Sequence, residues 1–191
     1  MVKNSLESLI AFHCAPTLAG IKAANLFTWH HMKEDMAGGL IDAARSRLAP
    51  YGISMEILCQ CERYALILVY REKMLGRAFT PEAECFLEGY GYAAGSSVAE
   101  KLAVLKSRLT LCGEFPHEIG VFLDYPLEDV RGFIENRGGG CKACGTWKVY
   151  GDRDRAQELF ERYKRCTDYF CKKIEAGHEM AQLLTAVPSF N

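Results

Sequence analysis

The first apolar positions of the chain recur at the spacing of an amphipathic helix. They run from Leu6 to His13, after a start at Asn4 and Glu7 that resembles a capping box. Proline disfavours the helical conformation of the residue in front of it, so we expect this helix to end before Pro16. A short N-terminal helix is therefore predicted.

Segments with strand character come next. A strand is predicted over 20–27, a helix over 33–49, and two strands over 54–60 and 63–70. The last two strands are so close in sequence that an antiparallel hairpin is the simplest connection. The second of them is apolar throughout 65–69, which is typical of a central strand covered on both faces.

The middle of the chain has the signals of helix starts. Helices are expected over 71–111, with one N-cap at Thr80 before a proline and another at Ser97, which opens a capping box. Between them, the segment 89–95 is rich in glycine and tyrosine. We expect this segment to be a turn that acts as a hinge.

The last third returns to alternating elements. A strand over 118–124 is followed by a helix that opens at Pro126, a loop over 137–140 and a strand over 146–150. A long helix that is apolar on one face begins after Asp152, which is placed to cap it.

Together these elements predict the fold class. Five strands and six or seven flanking helices, with one antiparallel hairpin and several helical connections, indicate an α/β (or α+β) fold with a mixed, roughly five-stranded sheet. No repeat or long linker divides the sequence. Residues 1–191 are therefore expected to form a single globular domain, with a loosely packed C-terminal tail over 177–191.

Composition excludes several classes of protein. Lys plus Arg (23) and Asp plus Glu (24) nearly balance, so no basic field is present to hold nucleic acid or a membrane surface. No segment has the features of a signal peptide, and no apolar run approaches the roughly 20 residues that span a bilayer. The nine cysteines are too few for a small disulfide scaffold and odd in number. We therefore expect a cytoplasmic protein with reduced thiols.

A thiol-centred site is the first functional hypothesis, with Cys14, Lys22, His117 and Glu118 as its residues. A cysteine nucleophile needs a nearby cation or imidazole that favours its thiolate. Lys22 would supply the cation, His117 would act as base or acid, and Glu118 would orient the imidazole. Such a site would bind or transform a small ligand. In the alternative, Cys14 is a buried small apolar residue and His117 has a structural role.

A metal or redox centre is the second hypothesis. Cys141 and Cys144 form a Cys-x-x-Cys pair, and Cys166 on the last helix is the best third ligand. A fourth ligand is not assigned, and the pair leads into a strand, whereas a thioredoxin-like pair begins a helix. The protein would then be a non-enzymatic module that binds a metal, haem or an iron–sulfur cluster.

Two weaker alternatives rest on single features. The glycines at 138–140, followed by Lys142, offer backbone N–H groups for a phosphate, but they match neither established phosphate-loop pattern. Exposed aromatic residues would instead indicate a protein-interaction module. The candidates for such a surface are Trp29, Tyr90, Tyr92 and Trp147.

Three segments together resemble a known family. They are HCAPTLAGIK at 13–22, HEIGVFLDYP at 117–126 and CGTWKVYGD at 144–152, followed on the last helix by Phe160, Tyr163 and Cys166. In this order and at these separations they resemble the bacterial DUF3793 family, a domain of unknown function, over nearly the whole chain.

The resemblance implies a fold-sized unit but no mechanism. It implies a bacterial protein, and the family's occurrence in anaerobic and gut bacteria agrees with reduced thiols. Asp124 departs from the family pattern, which has glycine there; the change adds a charge at the turn and removes no candidate ligand or nucleophile. Enzymatic activity, cofactor, substrate and oligomeric state stay open.

Overall fold

Helices and two small antiparallel sheets make up the protein in a computed structural model that describes residues 5–30, 34–61, 63–111 and 115–190. The helices are α1 (Leu6–Leu18), α2 (Glu34–Leu48), α3 (Glu72–Ala78), α4 (Pro81–Glu88), α5 (Val98–Leu111), α6 (Ile119–Phe122), α7 (Leu127–Glu135), α8 (Arg153–Glu175) and α9 (Met180–Thr185). The strands are β1 (Ala24–His30), β2 (Ser54–Gln60), β3 (Tyr64–Tyr70), β4 (Ala143–Cys144) and β5 (Lys148–Val149).

The chain divides into two compact units. The sheet unit comprises Met1–Glu72 and Tyr163–Asn191, and the hairpin unit comprises Lys73–Arg162. Residues 163–175 of α8 therefore belong to the sheet unit. The expectation of a single folding domain over 1–191 stays a prediction.

The larger sheet has the strand order β1-β3-β2, and both neighbouring pairs are antiparallel. The predicted hairpin of β2 and β3 is confirmed, and so is the central position of the second strand. The interior of β3 is buried because the strand has a neighbour on each side and neither of its faces is open to solvent. Its apolar run is the sequence signal of that position.

The first helix is longer than predicted. Its N-cap is Ser5, whose hydroxyl accepts the Ser8 N–H, while the predicted cap Asn4 lies outside the described residues. Pro16 lies inside the helix, which continues to Leu18, so the prediction that the helix ends before Pro16 is wrong. Pro16 has no N–H to donate within the helix, and the Arg71 side chain stabilises the helix end by donating to the last carbonyls, at Thr17 and Leu18.

The first strand also begins later than predicted. The N–H groups of Ile21 and Lys22 both bond the carbonyl of Pro16, so residues 20–22 close the end of α1 instead of extending. Gly20 lies in the left-handed region with φ 71°, which an L side chain rarely adopts. The strand therefore starts at Ala24.

The core of the sheet unit lies between α1, the sheet and the C-terminal helices. From the C-terminal region it takes the buried side chains Cys166, Phe170, Ile174, Met180, Leu183 and Phe190. The last three belong to the segment 177–191 that was expected to be a loosely packed tail. This segment forms α9 and contributes apolar side chains to the core.

The hairpin unit begins with helices whose predicted caps are confirmed. The hydroxyl of Thr80 accepts the Ala83 N–H at the start of α4. Ser97 and Glu100 bond each other's backbone N–H groups in a reciprocal capping box at the start of α5.

The prediction of a strand over 118–124 is wrong, because Ile119–Phe122 form the helix α6. Every residue of this apolar run is buried, so the run has no polar face from which a period can be recognised. Tyr125 N–H returns to the carbonyl of Gly120, and Asp124 adopts φ 59°, the left-handed geometry that glycine favours. The glycine that the resemblance implies at position 124 would fit this backbone geometry.

The predicted single mixed sheet of about five strands is also wrong. The described residues contain a three-stranded antiparallel sheet and a separate two-stranded hairpin, β4–β5. The overall α+β class is confirmed. No helix in the described ranges is both long enough and apolar enough to cross a bilayer.

Candidate functional site

Cys14 and Lys22 lie near each other in the sheet unit. The Cys14 side chain is fully buried, and Lys22 is only 1% exposed, with its Nζ donating to the Ala24 carbonyl. Burial raises the pKa of the Cys14 thiol strongly, and the positive charge of Lys22 offsets only part of this increase. The thiol is therefore protonated at neutral pH, which favours the interpretation of Cys14 as a packed apolar residue.

His117 and Glu118 are placed in the hairpin unit, and their side chains have different surroundings. His117 is exposed and its ring lies edge-on to Phe133, with 4.9 Å between centroids. Glu118 is buried and pairs with the Nε of Arg108. The Tyr92 hydroxyl also donates to the Glu118 carboxylate, at 3.2 Å. Glu118 is thus held as a structural ion-pair partner, while His117 faces solvent.

The three predicted metal ligands fall in both units. Cys144 is exposed on β4, Cys141 is half-buried just before it, and Cys166 is fully buried in the core of the sheet unit. Across the described ranges, no group of three or more His, Cys, Asp or Glu side chains is arranged to hold a metal ion. None of the eight described cysteines forms a disulfide. The metal and cluster hypothesis gains no support from this arrangement.

The glycine-rich loop before β4 has its polar groups engaged. The N–H of Gly138 bonds the Phe133 carbonyl, and the N–H of Gly139 bonds the Asn136 carbonyl. The Nζ of Lys142 donates to the Gly151 carbonyl at 2.8 Å, and Lys148 donates to the Gly138 carbonyl at 2.6 Å. The loop therefore closes on itself, and the geometry does not support a phosphate cradle.

The segment CGTWKVYGD forms the β4–β5 hairpin around one buried carboxylate. Asp129 accepts the indole N–H of Trp147 at 2.6 Å and the backbone N–H groups of Tyr150 and Gly151 at 2.6 and 2.7 Å. A side chain at Gly145 would place its Cβ 2.3 Å from the Phe160 ring. The motif therefore specifies a tightly closed hairpin.

Most of the aromatic residues proposed for an interaction surface are buried. Trp29 and Trp147 are each 7% exposed and Tyr92 is 3% exposed. Tyr90 is half-buried, with the Arg108 guanidinium 5.3 Å from its ring centroid. The expectation that these residues form an exposed aromatic surface is therefore wrong for Trp29, Tyr92 and Trp147.

One cavity of about 810 Å³ opens in the sheet unit between α1 and the C-terminal half of α8. On the α1 side it is lined by Ser8, Leu9, Ala11, Phe12 and His13. The His13 ring stacks on the buried Phe27 ring at 5.7 Å and meets Phe12 edge-on at 4.9 Å. Partial burial lowers the pKa of His13, so its imidazole is neutral at pH 7.

The α8 side of the cavity combines apolar and acidic groups. It is lined by Thr167, Asp168, Cys171, Ile174 and Glu175. Burial is the main cause that raises the pKa of the Cys171 thiol, and the charges of Glu175 and Asp168 raise it further. Both carboxylates therefore act electrostatically on a thiol that lines the cavity.

Sequence reasoning found one part of this cavity and missed the rest. His13 begins the HCAPTLAGIK segment, next to the predicted nucleophile Cys14. The α8 residues that line the cavity were missed because only the apolar face of this helix and Cys166 entered the sequence-based predictions. The signal is the spacing of Asp168, Cys171 and Glu175 at i, i+3 and i+7, which puts all three on one side of the helix.

Comparison with known proteins identifies the family to which the chain belongs. The model of the family described as "Protein of unknown function (DUF3793)" matches residues 10–184, which confirms the resemblance of the three motif segments. No curated protein and no solved structure matches the chain.

Proposed function

Because the chain belongs to the DUF3793 family of unknown function, its activity has to be inferred from its own residues, and we propose that it binds a small molecule in the cavity between α1 and α8. The observation that supports this proposal is the cavity itself. Its volume of about 810 Å³ lies within the range of small-molecule sites, about 300–1,000 Å³. A cavity with an apolar lining and a few convergent polar groups is the usual form of such a site.

The lining fits non-covalent binding. Leu9, Ala11 and Ile174 offer apolar surface, while the Ser8 and Thr167 hydroxyls offer hydrogen bonds that orient a ligand. The one thiol in this lining, Cys171, has a raised pKa and is therefore protonated at neutral pH. A bound molecule would be held by burial and hydrogen bonding rather than by a thiolate.

This proposal keeps the small ligand of the thiol hypothesis but changes its location. The ligand would contact His13, whereas its neighbour on α1, Cys14, is packed in the core. A chemical role for Cys14, Lys22, His117 and Glu118 stays a prediction. It is tested separately, by the reactivity of Cys14.

The binding test uses the neutral fluorescent probe N-phenyl-1-naphthylamine. We expect saturable binding to the wild-type protein, with a fluorescence increase as the probe leaves water. Thr167→Trp and Ser8→Trp fill the cavity from opposite sides and should each abolish that binding. Lys164→Trp adds the same side chain at an exposed position of α8 outside the cavity and serves as the matched control.

Circular dichroism of each variant verifies that the helices are intact. Loss of binding in both cavity variants but not in Lys164→Trp supports the proposal. Equal binding by all four proteins, or no saturable binding to the wild type, rejects it. A wild-type dimer that Thr167→Trp converts to monomers in sedimentation also rejects it, because a second copy would then occupy the cavity.

A further inference from the structure

The charged groups of the α1–α8 cavity have one sign. Asp168 and Glu175 are exposed carboxylates at its edge, and none of its ten lining residues is Lys or Arg. The nearby Lys173 is not part of the lining; its Nζ lies over the Tyr169 ring, 5.9 Å from the centroid. His13 is neutral at pH 7 and contributes no compensating positive charge. The cavity therefore carries a formal charge of about −2 from two carboxylates.

The two carboxylates produce a negative electrostatic potential inside the cavity as well as at its edge. The Cys171 thiol is half-buried between the two carboxylates in sequence, and both of them disfavour its thiolate. The same field that disfavours an anion at the sulfur favours a cation at that place.

Aromatic rings provide a second feature that suits a cation. Phe12 lines the cavity and is 57% exposed, so its ring is accessible to a ligand. The Phe12 and His13 rings are perpendicular, with 4.9 Å between centroids, so at least one face of the Phe12 ring is not in contact with His13. The face of an aromatic ring attracts an ammonium group, with the strongest effect where water is excluded.

We propose, on the basis of the proposed binding function, that the ligand is an organic cation: an amine or quaternary ammonium group joined to an apolar or aromatic body. The ammonium group lies between Asp168 and Glu175, near Cys171. The apolar body contacts Phe12, Leu9 and Ile174. The ligand forms no covalent bond with the protein.

The experiment compares three probes that share a naphthalene ring and differ in charge. They are 2-(1-naphthyl)ethylammonium, the neutral 1-naphthaleneethanol and the anion 1-naphthylacetate. Each is titrated at pH 7 and low ionic strength by calorimetry and by displacement of N-phenyl-1-naphthylamine. We expect the cation to bind about tenfold more tightly than the anion. Each of the two partly solvated carboxylates should raise the ratio of these affinities by a factor of roughly three.

Charge-neutralising variants identify the carboxylates. In the double variant Asp168→Asn with Glu175→Gln, the affinities for cation and anion should differ by less than about twofold, while the affinity for the neutral probe stays unchanged. Glu158→Gln with Glu161→Gln removes two exposed carboxylates of the same helix that do not line the cavity. This control should keep the preference for the cation. Salt at 1 M should weaken the preference in the wild type, because it screens exposed charges.

The outcomes separate the two proposals. If the neutral probe binds in the cavity but cation and anion bind equally, or the anion binds better, the cation proposal fails and the binding proposal stands. If the preference persists after both carboxylates are neutralised, the cation proposal also fails, because other charges then cause it. If none of the three probes binds, the cation proposal fails; if N-phenyl-1-naphthylamine does not bind either, both proposals fail.

Discussion

Asp129 on α7 and Trp147 before β5 are joined by a hydrogen bond of 2.6 Å between the buried carboxylate and the indole N–H. The carboxylate is 2% exposed and also accepts the backbone N–H groups of Tyr150 and Gly151. Three donors therefore converge on one buried anion. A two-stranded hairpin of this size is only marginally stable alone, and Asp129 connects it to a helix.

Removing this carboxylate should destabilise the protein strongly. Asp129→Ala leaves three N–H donors without their acceptor in a buried place, so we expect a loss of about 3 kcal/mol in the free energy of unfolding. Trp147→Phe removes only the indole donor and leaves the carboxylate its two backbone donors. We therefore expect a smaller loss of unfolding free energy, about 2 kcal/mol. Urea denaturation of both single variants and the double variant measures their coupling, expected to be about 1 kcal/mol. Strictly additive losses would contradict a direct stabilising bond.

Arg71 has a comparable role in the sheet unit. Its guanidinium donates to the carbonyls of Thr17 and Leu18 at the end of α1, each at 2.7 Å, and to the Tyr51 carbonyl at 2.9 Å. Arg71→Met should cost about 3 kcal/mol in unfolding free energy, because buried carbonyls lose a charged donor.

Arg71→Lys is the informative control for that prediction. It keeps the positive charge at the helix end, but one ammonium group cannot reproduce the fork of the guanidinium. We expect roughly half of the loss seen for methionine. Unfolding midpoints equal to the wild type for both variants would show that the three carbonyl contacts do not stabilise α1.

The sequence predicts the antiparallel part of the fold well, because its signals there are local. The connection between β2 and β3 is short, and the apolar run of β3 needs cover on both faces. The run at 119–123 carries no such information: all five residues are buried, so helix and strand patterns look the same. Tertiary burial there decides the local structure.

The candidate site is only partly predictable for a related reason. His13 belongs to a recognisable motif, whereas its partners across the cavity lie more than 150 residues later in the chain. No local rule pairs α1 with the C-terminal half of α8. The wrong prediction that the first helix ends before Pro16 does not affect this site, because every α1 residue that lines the cavity precedes Pro16.

Asp124 offers a test of backbone strain. Its φ of 59° is tolerated by Asp better than by most residues and is opposed by a β-branched side chain. Asp124→Val should therefore lower the free energy of unfolding by about 1–2 kcal/mol, whereas Asp124→Gly should be neutral to within about 1 kcal/mol. Chemical denaturation measures both. Equal stability of the glycine and valine variants would argue against strain at this turn.

The reactivity of Cys14 tests the thiol-centred hypothesis directly. Because its thiol is fully buried and its pKa is raised, we expect iodoacetamide at pH 7 to modify it at least about tenfold more slowly than the exposed Cys61, Cys85 and Cys144. Mass spectrometry of proteolytic peptides gives the rate at each site. In urea the difference should disappear. A Cys14 that reacts as fast as the exposed cysteines in the folded protein would restore the nucleophile hypothesis.

Protonation of His13 should weaken the folded state. Burial against Phe27 lowers the pKa of the imidazole below its ordinary value of 6.5, although the carboxylates of Asp168 and Glu175 line the same cavity. The unfolded chain then binds a proton more readily than the folded one. The stability that the neutral ring supplies is complete above pH 6.5 and is lost as the pH falls from 6.5 through the lower pKa of the folded state.

Titration of the His13 ring by NMR provides the measurement, with the signal assigned by its absence in His13→Gln. We expect a midpoint below 6.5, and a smaller decrease of unfolding free energy between neutral and mildly acidic pH in His13→Gln than in the wild type. A midpoint above 6.5 would mean that Asp168 and Glu175 outweigh burial at His13. In that case the cavity would hold an internal cation at neutral pH, and the preference for a cationic ligand would have to be measured at a pH where His13 is neutral.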